Sequence, residues 1–153
     1  MKNLHKRYLI ILQIFSILFL LLNCSSLSEG ENPLQLSDKE IYSKGLHSLR
    51  KGDYRVAIIE FDKLYLNYPF SSLASKSEIN LAYSLYQNNE INKAITKLNT
   101  FIEMNPKGEL TQYAHYLLAM CYYTQISYEG RDPGLSIKAL NSFKIIVSKY
   151  PNT

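Results

Sequence analysis

The stretch GLHSLRKGDYRVAIIEF, residues 45–61, decides the fold, because its spacing of small and bulky residues recurs twice further along the chain. Two small residues, Gly45 and Ala57, precede the bulky Phe61, and a proline follows at Pro69. The first small residue recurs every 37 residues. The equivalent positions are Gly45, Ala82 and Ala119; Ala57, Ala94 and Ala139; Phe61, Leu98 and Phe143; and Pro69, Pro106 and Pro151. This period is typical of helix–turn–helix repeats whose paired helices pack closely.

The repeats predict an all-α, tetratricopeptide-type solenoid of three helical hairpins over residues 37–153. Their approximate bounds are 37–70, 71–107 and 108–153. Turn chemistry supports this division, since serine or aspartate favours a helix start and glycine or asparagine favours a helix end. The expected signals are an N-cap at Ser37-Asp38, a left-handed end at Gly52, an N-cap at Asp53, a helix start at Ser71 or Ser72, a turn at Asn88-Asn89, and a third start near Glu109.

The third repeat departs from the pattern. Ala119 and Ala139 are 20 residues apart, whereas the corresponding pairs in the first two repeats are 12 apart, so eight residues are inserted around 125–132. Removing them restores the 37-residue period. After the insertion, Asp132 is expected to cap the last helix, with Pro133 at its first position.

The first 36 residues read as targeting sequence. Residues 1–23 have a basic start and an apolar stretch from Tyr8 to Leu22, as a secretory signal peptide does. Leu21-Leu22-Asn23-Cys24 is similar to the lipobox of bacterial lipoproteins, although Asn23 stands where that pattern usually has glycine, alanine or serine. The similarity implies cleavage before Cys24 and a covalent lipid on Cys24. The stretch that follows is polar and contains Asn32-Pro33, so residues 24–36 are expected to form a flexible tether. The alternative is a retained leader that spans the inner membrane.

Composition argues against several functions. Three of the 17 basic residues lie in the leader, which leaves 14 against 13 acidic ones, so the mature chain has no electrostatic footprint for nucleic acid. The histidines, His5, His47 and His115, are too scattered for a metal site or a catalytic pair. Cys121 lies in an apolar run and is expected to be a small buried residue. We therefore expect no enzyme activity, no metal and no cofactor besides the lipid.

The first helix of each repeat is expected to line a groove. Helical periodicity places the inward-facing side chains three residues before, one after and four after each small residue. These positions are Tyr42, Leu46 and Leu49; Ile79, Tyr83 and Tyr86; and Tyr116, Met120 and Tyr123. Such a surface, apolar and aromatic with little charge, suits an apolar or aromatic peptide. The alternative is that several of these tyrosines pack against neighbouring helices.

The sequence resembles the BamD family of outer-membrane assembly lipoproteins. The resemblance rests on EIYSKGLHSLRKGDYRVAIIEFDKLYLNYPF (40–70), on LAYSLYQNNEINKAITKLNTFIEMNP (81–106), and on two short motifs, Tyr68-Pro69-Phe70 and Arg131-Asp132-Pro133. It implies a lipid-anchored protein on the periplasmic face of the cell outer membrane. There it would bind unfolded outer-membrane proteins and assist their insertion, with the BamA barrel and other assembly lipoproteins as partners.

Two expectations qualify the resemblance. Relatives of this family carry about five repeats, so we expect this chain to be truncated, with its last helix pair exposed and marginally stable. The alternative function is a general cell-envelope scaffold, in which a lipid-anchored repeat protein positions other periplasmic proteins. Binding of a peptide that ends in an aromatic residue would separate the two functions.

Overall fold

A computed structural model of the chain describes residues 36–126 and 133–151. Six α-helices follow one another in this part of the chain, and it contains no strand. These described residues belong to one compact unit, and residues 1–35 lie outside them. The helices are α1 (Asp38–Lys51), α2 (Tyr54–Asn67), α3 (Ala74–Gln87), α4 (Ile91–Met104), α5 (Thr111–Thr124) and α6 (Pro133–Lys149). Each helix packs on the next, and α3 also contacts α5. The predicted all-α stack of three helical hairpins is confirmed.

The helix ends follow the turn chemistry in most places. At α1, the Ser37 hydroxyl accepts from the Glu40 N–H at 3.3 Å, and the Glu40 carboxylate accepts in return from the Ser37 N–H at 2.8 Å. This reciprocal pair is a capping box. Gly52 ends α1 at φ 79°, and Asn89 makes the second hairpin turn at φ 61°. Pro133 is the first residue of α6, as predicted.

Two predicted starts are wrong in detail. Asp53 precedes α2, but its side chain makes no capping hydrogen bond, because its ψ of 63° lies outside the extended region that an N-cap requires. The third helix begins at Ala74 rather than at Ser71 or Ser72. There the Ser71 hydroxyl accepts from the Leu73 N–H at 3.0 Å and donates to the Asp38 carboxylate at 2.5 Å. These bonds hold residues 71–73 as a turn. The expected cap at Asp132 lies outside the described residues.

The small residues allow the close helix contacts that the repeat requires. A Cβ placed on Gly45 would lie 2.7 Å from Cε1 of Phe61, which is closer than carbon atoms approach in folded proteins. Ala57, Ala82, Ala94 and Ala119 are at most 1% exposed, as expected for residues between packed helices. The main hydrophobic core therefore runs from α2 to α5, through Phe61 and Leu98, with side chains of α1 packed against it.

Candidate peptide-binding groove

The nine expected groove residues lie on α1, α3 and α5. The helix α3 packs against α5, and Asn80 of α3 donates a hydrogen bond to Tyr42 of α1. Their side chains differ in exposure. Tyr116 and Tyr123 are 46% and 60% exposed, and six others are partly buried. The ninth, Ile79, is 4% exposed and belongs to the core, so its assignment to an accessible groove is wrong. Tyrosine occupies the equivalent positions 42 and 116, and its longer side chain reaches past the core, whereas isoleucine does not.

Tyr42 of the first repeat and Tyr86 of the second each make a hydrogen bond that crosses a repeat boundary. The Tyr42 ring meets the edge of Phe61 with the ring centroids 5.8 Å apart, and its hydroxyl accepts from Asn80 Nδ2 at 3.1 Å. The Tyr86 hydroxyl lies 3.2 Å from Oγ1 of Thr124, one repeat further on. These bonds fix the polar tips while part of each ring stays accessible. The surface is thus preorganised, which lowers the entropy cost of binding.

Tyr113 belongs to the same surface, although sequence reasoning missed it. It is 41% exposed, and its ring centroid lies 6.2 Å from that of Tyr116. Partial burial raises the pKa of the Tyr113 hydroxyl, and the nearby Tyr83 and Tyr116 raise it further. Tyr113 and Tyr116 thus form a small aromatic cluster on α5, with Tyr83 of α3 close enough to influence it. The signal was available, since positions 113 and 116 are neighbours on a helix at a spacing of three.

A cavity beside this cluster offers room for a side chain. Its volume is about 420 Å³, and it is lined by Glu109, Gln112, Tyr113, Tyr116 and Ile146. The walls thus combine two aromatic rings and an isoleucine with two polar residues at the start of α5. The cavity has room for an apolar or aromatic side chain against the rings, and its polar rim has acceptors for a backbone N–H. We call Tyr42, Tyr83, Tyr86, Tyr113, Tyr116 and Tyr123 together the tyrosine row.

The two short family motifs have different settings. The Tyr68 hydroxyl donates to the Leu36 carbonyl at 2.8 Å, which ties the start of the repeats to the end of the first hairpin. Pro69 is exposed, and Phe70 is fully exposed. Pro133 opens α6, while Arg131 and Asp132 lie outside the described residues. Cys24, the expected lipidation site, also lies outside them.

The described cysteine and histidines do not form a reactive cluster in this part of the chain. Cys121 is fully buried, so its predicted burial is confirmed, and this burial raises the pKa of its thiol to about 12. His115 is 8% exposed and lies beside Tyr150, whereas His47 is on the surface of α1. Within residues 36–126 and 133–151, no three potential ligands cluster as a metal site would require. None of the helices described has the length and apolar character needed to cross a membrane.

Comparison with known families identifies the relatives of the chain. The model of the YfiO family, described as an outer membrane lipoprotein, matches residues 34–153. The chain belongs to this family. The match covers all three helical hairpins, so the 37-residue repeat and the family assignment describe the same part of the sequence.

Curated relatives carry a more specific name. A protein of Rickettsia prowazekii is 33% identical over 113 residues, and one of Caulobacter vibrioides is 32% identical over 123. Both are named outer membrane protein assembly factor BamD, as is a Vibrio cholerae protein that is 26% identical over 146 residues. The alignments cover 74%, 80% and 89% of this chain. They span only 45%, 39% and 60% of those relatives, so the chain matches about half of their length.

Proposed function

We propose that this protein is a component of the outer-membrane β-barrel assembly machinery that holds a segment of an unfolded outer-membrane protein on its tyrosine row. The single observation that carries the proposal is this row, which crosses three repeats in a chain of the YfiO family. The name of the relatives, outer membrane protein assembly factor, supports the cellular role. A lipid on Cys24 would anchor the repeats at the periplasmic face of the outer membrane.

The chemistry of the row favours an aromatic or apolar ligand segment. Tyr113 and Tyr116 present ring faces and edges beside the cavity that they share with Ile146. Aromatic pairs gain roughly 0.5–1.5 kcal/mol beyond the burial of their area. An unfolded outer-membrane protein exposes aromatic side chains that the folded barrel would turn toward lipid. Weak contacts repeated along the row would hold such a segment and still release it to the BamA barrel or other assembly lipoproteins.

A fluorescence titration tests the proposal, because the chain contains no tryptophan. A ten-residue peptide with alternating apolar residues and a tryptophan at its carboxyl end is titrated with the full-length chain in nanodiscs, and empty nanodiscs correct for binding to lipid. We expect saturable binding that Tyr116→Ala weakens by about tenfold, as loss of a central aromatic contact does.

The matched control is Tyr54→Ala, since Tyr54 is a partly buried tyrosine on α2, away from the row. It should leave the affinity unchanged. Equal losses in Tyr54→Ala and Tyr116→Ala would place binding elsewhere and overturn the proposal. No saturable binding by the unmodified chain would favour the general envelope scaffold instead.

A further inference from the structure

A second groove lies on the other side of α3, between α2 and α4. Its volume is about 550 Å³. Leu81 and Leu85 form its floor; they lie on the side of α3 that faces α2 and α4, roughly opposite Tyr83. Ile58 and Ile59 form one apolar wall. We call this the α2–α4 groove, and it shares no residue with the tyrosine row.

The α2–α4 groove is lined by three basic and two acidic residues, so one positive charge is left without an acidic partner in the lining. Lys93 pairs with Glu90 at 2.5 Å, and Lys97 approaches Asp62 at 3.5 Å. Arg55, the fifth charged residue of the lining, makes no hydrogen bond or ion pair with any residue in the described part of the chain. The groove therefore carries one free positive charge at its edge. A bound segment gains most if it places a carboxylate there.

The equivalent place one repeat further along the stack, between α4 and α6, shows which side chains fill such a depression. We call it the α4–α6 groove. By the repeat spacing, Tyr122 of α5 stands where Leu85 stands in α3, and Lys138 of α6 stands where Lys93 stands in α4. The Tyr122 ring is packed against the core, and Lys138 Nζ lies 5.7 Å from the ring centroid. An aromatic ring beneath a lysine thus occupies the α4–α6 groove. In the α2–α4 groove the shorter Leu85 leaves that volume open.

In the α4–α6 groove, the residue at the position equivalent to Arg55 is Asn92. It has a hydrogen-bond partner, because its Oδ1 accepts from Gln125 Nε2 at 3.0 Å. In the α4–α6 groove, the chain's own side chains thus supply both an aromatic ring and a hydrogen-bond partner for the polar edge. The α2–α4 groove has neither, and a bound partner can supply the ring and a group that pairs with Arg55.

The shape of the α2–α4 groove favours a helix over a compact small molecule. Ile59 is 63% exposed and stands beside the floor. The lining residues Arg55, Ile59 and Asp62 follow one another along α2 at helical spacing. A surface with both a depression and a ridge at helical spacing matches the ridges and grooves of another helix. We propose that the α2–α4 groove binds an amphipathic helix of a partner protein. This helix would place an aromatic residue over Leu85 and a carboxylate against Arg55.

A binding experiment with model peptides tests this proposal independently of the tyrosine row. The probe is an acidic amphipathic helical peptide with one tryptophan on its apolar face and glutamates along the edges of that face. Its counterpart carries lysine in place of each glutamate. We expect the full-length chain in nanodiscs to bind the acidic peptide about fivefold or more tightly than the basic one, as an oppositely charged contact requires.

Two variants locate the contact. Arg55→Glu should reverse the preference between the two peptides, whereas Lys107→Glu, a charge reversal at an exposed residue between α4 and α5, should not. Leu85→Tyr should weaken the binding of both peptides, because it introduces the ring that Tyr122 provides in the α4–α6 groove. Thermal melts of each variant check that the fold is kept. If Leu85→Tyr is unfolded, Arg55→Glu decides the question alone, since Arg55 is on the surface.

Three results would overturn the proposal. The first is equal affinity for the acidic and basic peptides. The second is a loss of binding in Tyr116→Ala as large as in Arg55→Glu, which would assign the peptides to the tyrosine row. The third is stoichiometric displacement of the acidic peptide by oleate at lower concentration, which would make the groove a site for a small anionic amphiphile.

Discussion

The first and third repeats place the same kinds of residue at the same positions but bury them differently. Phe61 of α2 is fully buried, whereas Phe143, its equivalent in α6, is partly exposed. Likewise Leu140 is 52% exposed, while Ile58 at the equivalent position packs against the core. The repeat pattern is therefore the same in both hairpins, and only the surroundings differ.

The difference shows that a repeat position becomes core only where the following helix covers it. The helix α3 packs on α2, and α5 packs on α4, but no described helix packs on the corresponding face of α6. That face carries Ile137, Leu140 and Val147, each more than half exposed. In a solenoid, stability is a sum of repeat and interface terms, and within the described residues the covered face of α2 contributes to an interface with a following helix, whereas the equivalent face of α6 does not. The following variants test this comparison.

Truncation of the equivalent phenylalanines should give the largest effect. Phe61→Ala removes a fully buried ring and is expected to lower the free energy of unfolding by about 3–5 kcal/mol. Phe143→Ala removes a partly exposed ring and should cost less than half as much. Urea denaturation followed by circular dichroism measures both. Equal costs would mean that α6 is as well covered as α2, and the comparison would fail.

Adding a methyl group at the closest helix contact should have the next largest effect. Gly45→Ala places a carbon 2.7 Å from Phe61 Cε1, and overpacking of this kind costs roughly 1–3 kcal/mol. The helix preference of alanine returns up to about 1 kcal/mol, so a net loss is expected. A double variant, Gly45→Ala with Phe61→Leu, should cost less than the sum of the two single changes. Additive costs would show that the two positions do not touch in solution.

Loss of the first cap should have a smaller, local effect. Ser37→Ala removes the acceptor for the Glu40 N–H and is expected to cost about 1 kcal/mol. The matched control is Ser72→Ala, at an exposed serine in the turn before α3, which should change stability by less than about 0.5 kcal/mol. The urea midpoints of the two variants give the comparison. If Ser72→Ala costs as much as Ser37→Ala, the capping box is not what stabilises the start of α1.

The smallest effect should be a pH dependence at the contact between α5 and α6. Burial lowers the pKa of His115 below its ordinary value of 6.5, and the nearby Lys149 lowers it further. The unfolded chain therefore binds the proton more readily, and stability falls as the pH drops below about 6.5. His115→Gln should remove this part of the acid sensitivity relative to the parent. Identical pH profiles would show that α6 does not shield His115.

Most of the fold could be predicted because it is written in local patterns. The capping box at Ser37 and the left-handed turn at Gly52 depend on residues close in sequence, and the 37-residue spacing of small residues repeats one local pattern three times. The start of α3 could not be placed, since it depends on the bond between Ser71 and Asp38, 33 residues apart. Long-range contacts of this kind have no signature in a single sequence.

The candidate site was predictable in part for a related reason. Periodicity located the tyrosine row, but it treated Ile79 as equivalent to Tyr42 and Tyr116 because it considers direction and not side-chain length. It missed Tyr113, which joins the row through the packing of α3 beside α5. The α2–α4 groove was missed altogether, since its floor and walls come from three helices that meet only in the folded chain.

Hydrogen–deuterium exchange of the full-length chain, with and without a peptide that ends in an aromatic residue, tests the central claim most directly. The account expects added protection in α3 and α5, which carry most of the tyrosine row, and no change in α2 and α4. Tyr116→Ala should abolish the added protection at the same peptide concentration. Protection confined to α2 and α4, or protection unaltered in Tyr116→Ala, would contradict the claim that the tyrosine row is the peptide-binding surface.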